Sequence, residues 1–143
     1  MSGHVPLRVG DTFFMANTGG ASNPSGAHLM VCMVAKTPEK NAIIVPIVSL
    51  RENSDESCVL NVGDHPFIKH PSCAAYDFVR AIPTAGVESD IASGEIVLQA
   101  PLSDDVLRRL QIGFINSDEV EPWAFDAAHG DKLRAHLKRK GHL

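Results

Sequence analysis

Cysteine is scarce in this 143-residue chain, where Cys32, Cys58 and Cys73 are the only three. So few, and an odd number, cannot build a disulfide scaffold, and there is no Cys-x-x-Cys pair to hold zinc. Reduced thiols are the expectation, with Cys32 as plain core. Nor does any apolar run approach the roughly 20 residues that cross a bilayer. The best stretch, Ala42 to Leu50, is interrupted by Pro46. The opening Met-Ser-Gly-His-Val-Pro has neither a basic nor an apolar stretch, so no export signal is expected. The chain therefore reads as soluble and cytoplasmic, with no membrane partner. Four signatures are also missing: Gly-x-x-x-x-Gly-Lys-Ser/Thr, Gly-x-Gly-x-x-Gly, His-Glu-x-x-His and Gly-x-Ser-x-Gly. Without them, nucleotide-driven work and the familiar hydrolase folds are not expected.

What is present is ordinary globular composition, with 44% hydrophobic and 21% charged residues. At this length one core is expected. Charge is unevenly spread. Residues 1–126 hold 16 acids against 8 Lys and Arg, a balance of −8, whereas Lys132, Arg134, Lys138, Arg139 and Lys140 face only Asp131 in the last seventeen residues. Such a basic end suits phosphate contact, and equally suits a solvated terminal helix with cations in its last turn.

From Val9 to Ile82, short apolar stretches alternate with turn residues, which predicts strands. Candidates are Thr12 to Ala16, His28 to Ala35, Ala42 to Leu50, Ser57 to Leu60 and Ala74 to Ile82, with a weaker one at Gly94 to Gln99. A mainly β fold of five to six strands follows, small enough to close as a barrel. Asn17 to Ala27, rich in glycine, reads as a long functional loop. Ser103, followed by Asp104 and Asp105, is a helix cap, and Val106, Leu107, Leu110 and Phe114 give helix 103–115 one apolar face. Residues 1–121 then form the β domain, and residues 122–143 a basic helical arm with few apolar anchors. Trp123, the only tryptophan, reads as an anchor for that arm or a dimer contact.

The polar concentration lies in Gly63-Asp-His-Pro-Phe-Ile-Lys-His-Pro-Ser-Cys73. His65 and His70 are proton-transfer candidates on a loop that Pro66 and Pro71 stiffen. Asp64 with these imidazoles is ligand chemistry, but no further ligand stands at a recognisable interval, so neither metal nor other cofactor is expected. The plain alternative is a pair of turns, one shaped by Gly63 and one closed by the Ser72 hydroxyl.

Three segments in order resemble the PemK/MazF family of toxin ribonucleases. Val9-Gly10-Asp11-Thr12-Phe13-Phe14 is similar to the family's Gly-Asp opening. Ile43-Ile-Val-Pro-Ile-Val-Ser49 is similar to its strand ending in Pro-Ile-Thr-Ser. Pro71-Ser-Cys-Ala-Ala-Tyr-Asp-Phe-Val-Arg-Ala-Ile82 is similar to its Pro-Ser strand leading into Asp-Gln-Val-Arg-Thr-Ile. The resemblance covers residues 9–82. It implies an SH3-like barrel with terminal helices and a metal-independent endoribonuclease of a toxin–antitoxin system. The implied partners are single-stranded RNA, a cognate antitoxin and a second copy of the chain.

Attack of a 2′-OH on the adjacent phosphate needs a base, an acid and cationic support for the phosphorane. On the resemblance, Asp77 is the base and Arg80 holds a carboxylate or a phosphate oxygen. Gly26-Ala27-His28 stands where the family has an Arg-Arg-Pro cluster, and Ala75 where it has an arginine. His65 or His70 must then supply the acid. His28, Ser49, Arg51, Lys69 and Ser72 are expected to line the substrate, with Tyr76 as a base-stacking ring. The alternative is a non-catalytic SH3-like binding or regulatory module that has lost the catalytic arginines.

Overall fold

A computed structural model of the chain describes residues 6–16 and 27–143. Residues 17–26, the body of the expected functional loop, lie outside the described residues. Seven strands form one antiparallel sheet: β1 (Thr12–Ala16), β2 (Ala27–Val34), β3 (Asn41–Ser49), β4 (Val59–Leu60), β5 (Ser72–Ala74), β6 (Arg80–Pro83) and β7 (Leu98–Gln99). Four helices accompany them: α1 (Thr84–Ser93), α2 (Asp104–Asn116), α3 (Pro122–Ala127) and α4 (Gly130–Arg139). The strand order is β4-β5-β3-β2-β1-β7, with β6 also paired to β3. No ladder joins β4 to β7 among the described residues, so the sheet is not closed by strand pairing.

Both faces of the sheet are covered, which is why β2 and β3 read as continuous apolar runs rather than alternating ones. On one face Leu29, Val31, Met33, Ile43, Val45 and Ile47 pack with Leu110 and Phe114 of α2. The intervening Met30, Cys32, Ala42 and Ile44 turn to the other face and meet Leu7, Phe13, Val87 and Ile96. Burial pushes the Cys32 thiol up to about 12, aided by nearby Asp11, and the Cys58 thiol up to about 11. Cys73 shifts the same way for the same reason, so all three thiols stay protonated and unreactive.

The strand expected over Ala74 to Ile82 is broken. β3 pairs with β5 at Ile47↔Ala74 and with β6 at Ile44↔Arg80, so six steps of chain cover three. The surplus closes as a 3-10 turn over Tyr76–Phe78, where the Phe78 N–H donates to the Ala75 carbonyl. The turn drops Tyr76 into the core. Helix α1 lies where the sequence pattern suggests no element: Val87 and Ile91 pack on the second core cluster, too few to show a stripe. Gly94, in the left-handed conformation with φ of 87°, ends it.

Helix α2 forms where its cap predicts, with Ser103 Oγ accepting from the Val106 N–H at 3.2 Å. Replacing Ser103 with alanine orphans that donor, and a fall of about 1 kcal/mol in unfolding free energy is the expected outcome of urea titration. The arm of residues 122–143 is folded back on the domain. Ala124 and Ala128 join the main core, Leu137 is buried, and Phe125 stacks on Phe114 with ring centroids 6.1 Å apart. Trp123 remains half exposed. No helix among the described residues is long and apolar enough to cross a membrane.

Candidate functional site

Residues 61–71 form a strap that runs from the end of β4 to the start of β5 and is pinned at successive side chains. At its root, Asp64 accepts the Asn61 N–H at 2.8 Å and pairs with Arg109 of α2 at 2.8 Å. Partial burial raises the Asp64 carboxyl, but the Arg109 and Asn61 hydrogen bonds outweigh it, and the pKa lies below the ordinary 3.8. A carboxyl lowered on folding stabilises the fold above its ordinary range and loses that contribution as pH falls through the folded value. Asp64→Asn should therefore cost under about 1 kcal/mol at pH 7, because both partners are partly solvated, and progressively less as pH falls below the ordinary carboxyl range. Urea midpoints across that range check it.

The next pin is His65, 3% exposed. Its Nδ1 accepts the Phe67 N–H at 3.1 Å, which places the proton on Nε2. Nε2 lies 2.7 Å from the Ala100 carbonyl oxygen and 3.1 Å from Thr12 Oγ1, and the Thr12 hydroxyl itself donates to Ala100 at 2.7 Å. One imidazole thus ties the β4 end of the sheet to β1 and to the residue after β7, bridging by side chain the gap that no ladder closes. Both ring nitrogens are engaged, so no ring position is open to a substrate. Phe67 then meets Phe14 of β1 edge to face, centroids 5.0 Å apart, and Ile68 is buried in the main core.

At the far end of the strap, His70 Nε2 lies 2.8 Å from Ser49 Oγ, in an exposed hydrogen bond. Ser49 ends β3 and pairs in register with Ser72 of β5, while the Leu50 N–H donates to the Pro71 carbonyl. Ser72 is buried and its hydroxyl donates to the His70 carbonyl at 2.9 Å, fixing the histidine backbone. Arg51 and Lys69, each exposed, follow Ser49 and precede His70 in the chain. No ion pair engages either cation among the described residues. Ser49, Arg51, Lys69, His70 and Ser72 are thus brought to one end of the sheet.

The remaining candidates go elsewhere. Alternation places Ser49 on the face of Ile47 and His28 on the opposite face, with Met30 and Cys32. Tyr76 is 1% exposed and its hydroxyl donates to the Leu110 carbonyl at 2.6 Å, so it offers no ring to a base. Burial pushes its phenol pKa up. Arg80 is half-buried in β6. Asp77 lines a hollow of about 400 Å³ with Val48, Cys73, Asp55, Asp118 and Glu119. Val48 and Cys73, which line it, alternate with Ser49 and Ser72 along β3 and β5. Four carboxylates there repel phosphate. No hydrogen bond joins Asp77 to either imidazole among the described residues, and neither histidine lines the hollow that holds Asp77. The described residues hold no group of three or more His, Cys, Asp or Glu able to bind a metal ion.

The residues that sequence reasoning passed over are Phe14 and Phe67, exposed at 37% and 48%. Phe67 sits between the two strap prolines, and that stiffened setting was the available signal. Comparison with models of known protein families finds no match, and none among curated proteins either.

Proposed function

We propose that this chain binds single-stranded RNA across the strap and cleaves it without a metal. The observation that carries the reading is the exposed Ser49–His70 pair, 2.8 Å apart and flanked in the chain by two exposed cations that form no ion pair among the described residues. In the proposed step, Ser49 Oγ takes the 2′-OH proton and passes its own to His70 Nε2. The O2′–P bond forms and the P–O5′ bond breaks. The imidazolium then returns its proton to the departing 5′-oxygen. The products are a 2′,3′-cyclic phosphate and a 5′-hydroxyl, and the protein ends as it began. Arg51 and Lys69 supply the positive charge that the phosphorane needs.

The wider reading is a diverged PemK/MazF-like toxin with a curled, SH3-like sheet. It is supported by where the three resembling segments fall, on β1, on β3 and on β5 with β6, around the shared β3. A cytoplasmic setting, a cognate antitoxin and a second copy of the chain belong to the same proposal. A binding module without cleavage is the second reading, favoured by the placement of Asp77 among carboxylates and of His65 in the core. The test is incubation of purified protein with single-stranded RNA in the presence of chelator. Cleavage with cyclic-phosphate ends supports the enzyme, and tight binding with intact RNA supports the module. Two cations on the phosphates predict that log affinity falls with log salt at a slope of about −1.4.

A further inference from the structure

We infer that Phe14 and Phe67 form a stacking platform for an unpaired nucleobase beside the Ser49–His70 pair, an inference that rests on the RNA reading above. The protein buries Phe13 and Phe114 completely, yet leaves Phe14 and Phe67 partly exposed as an edge-to-face pair, centroids 5.0 Å apart and planes at 85°. In such a pair one ring covers a single face of the other, and the His65 ring also lies against Phe67 with centroids 5.9 Å and planes 31° apart, so the three rings leave at least one phenyl face of the pair for a further π-system. The platform is rigid. Phe14 is held in β1 opposite Leu29, and Phe67 is held by its N–H on His65 and by the buried Ile68 that follows.

Its position relative to the pair follows from register. Phe14 pairs with Leu29, Leu29 with Ile47 and Ile47 with Ala74, forming one row across the sheet. Ser49 and Ser72 are the next row on the same face, two residues or about 7 Å further along their strands. Phe14 is two strands from Ile47, about 10 Å. Phe67 lies on the strap itself, three residues before His70, with Lys69 between them. A strand whose phosphate lies between Lys69 and Arg51 therefore has an adjacent base within reach of the rings. The cations decide the occupant. An apolar protein partner makes no use of two exposed cations beside the rings, and two rings are far short of the roughly 1,200 Å² that a stable interface buries.

Binding is measured by fluorescence polarisation in the His70→Ala background, where RNA stays intact. The probes are a labelled single-stranded oligoribonucleotide, its duplex, and a series with one abasic position each. Phe67→Leu and Phe14→Leu keep apolar bulk but remove the ring, and each should weaken single-strand binding about 5- to 100-fold, the range for one stacked base. Phe67→Tyr should retain it. One abasic position should reproduce the loss and add nothing to Phe67→Leu, and the duplex should bind weakly and ignore the substitutions. Unchanged single-strand affinity in both leucine variants, with His70→Ala itself binding RNA, overturns the platform alone. No RNA binding by His70→Ala overturns the RNA reading with it. Concentration-dependent self-association abolished by Phe67→Leu, with RNA affinity kept, assigns the rings to a second copy and overturns the platform too.

Discussion

Replacing His70 with alanine should lower the rate of RNA cleavage by about 100- to 10,000-fold, the usual contribution of a positioned acid–base group. The loss should appear in kcat rather than in KM, because the imidazole acts on protons in transit and Arg51 and Lys69 remain to hold the phosphate. Ser49→Ala removes the hydroxyl that lies 2.8 Å from Nε2, but the freed imidazole can meet the 2′-OH directly. A smaller loss is expected there. Because the Ser49–His70 bond is exposed, neither change should unfold the protein, and circular dichroism of both variants checks this. Single-turnover kinetics on a labelled oligoribonucleotide give the rates.

The opposite pattern is expected at His65. Alanine there leaves the Phe67 N–H without its acceptor at 3.1 Å and the Ala100 carbonyl with only the Thr12 hydroxyl of its two side-chain donors, and opens a cavity between the strap and β1. The ring is buried, so the lost hydrogen bonds and packing together should cost about 2–4 kcal/mol. Urea unfolding gives the value. The cleavage rate of the fraction still folded should fall only insofar as the strap shifts Phe67 and His70. A His65→Ala protein of undiminished stability would remove the bridge from the account.

These two histidines also show where sequence reading stops. Both stand next to proline in one loop, and nothing local separates them. What separates them is pairing with Thr12, 53 residues away, and with Ser49, 21 residues away, which depends on how the strap crosses the sheet. Local signals served well where they sufficed. Ser103 with Asp104 and Asp105 marked the start of α2, and the apolar runs of β1, β2 and β3 were visible to within a residue or two. The single strand expected over Ala74 to Ile82 failed because the break at Tyr76 is imposed by β3, which takes one partner at each end. Helix α1 has no counterpart in the sequence pattern, where Gly94 reads as the start of a strand, whereas Gly94 caps the helix and the strand begins only at Leu98. The site divided for the reason strands always divide: adjacent positions face opposite ways, so Ser49 and Val48 open onto different chemistry.

The most direct test sets wild type, His70→Ala and Asp77→Asn side by side on single-stranded RNA with chelator present, reading both the rate and the chemistry of the new ends. The account predicts that wild type and Asp77→Asn cleave at similar rates and leave 2′,3′-cyclic phosphates, while His70→Ala cleaves about 100-fold or more slower. Cleavage by His70→Ala with none by Asp77→Asn would move the chemistry to the acidic hollow and contradict the account.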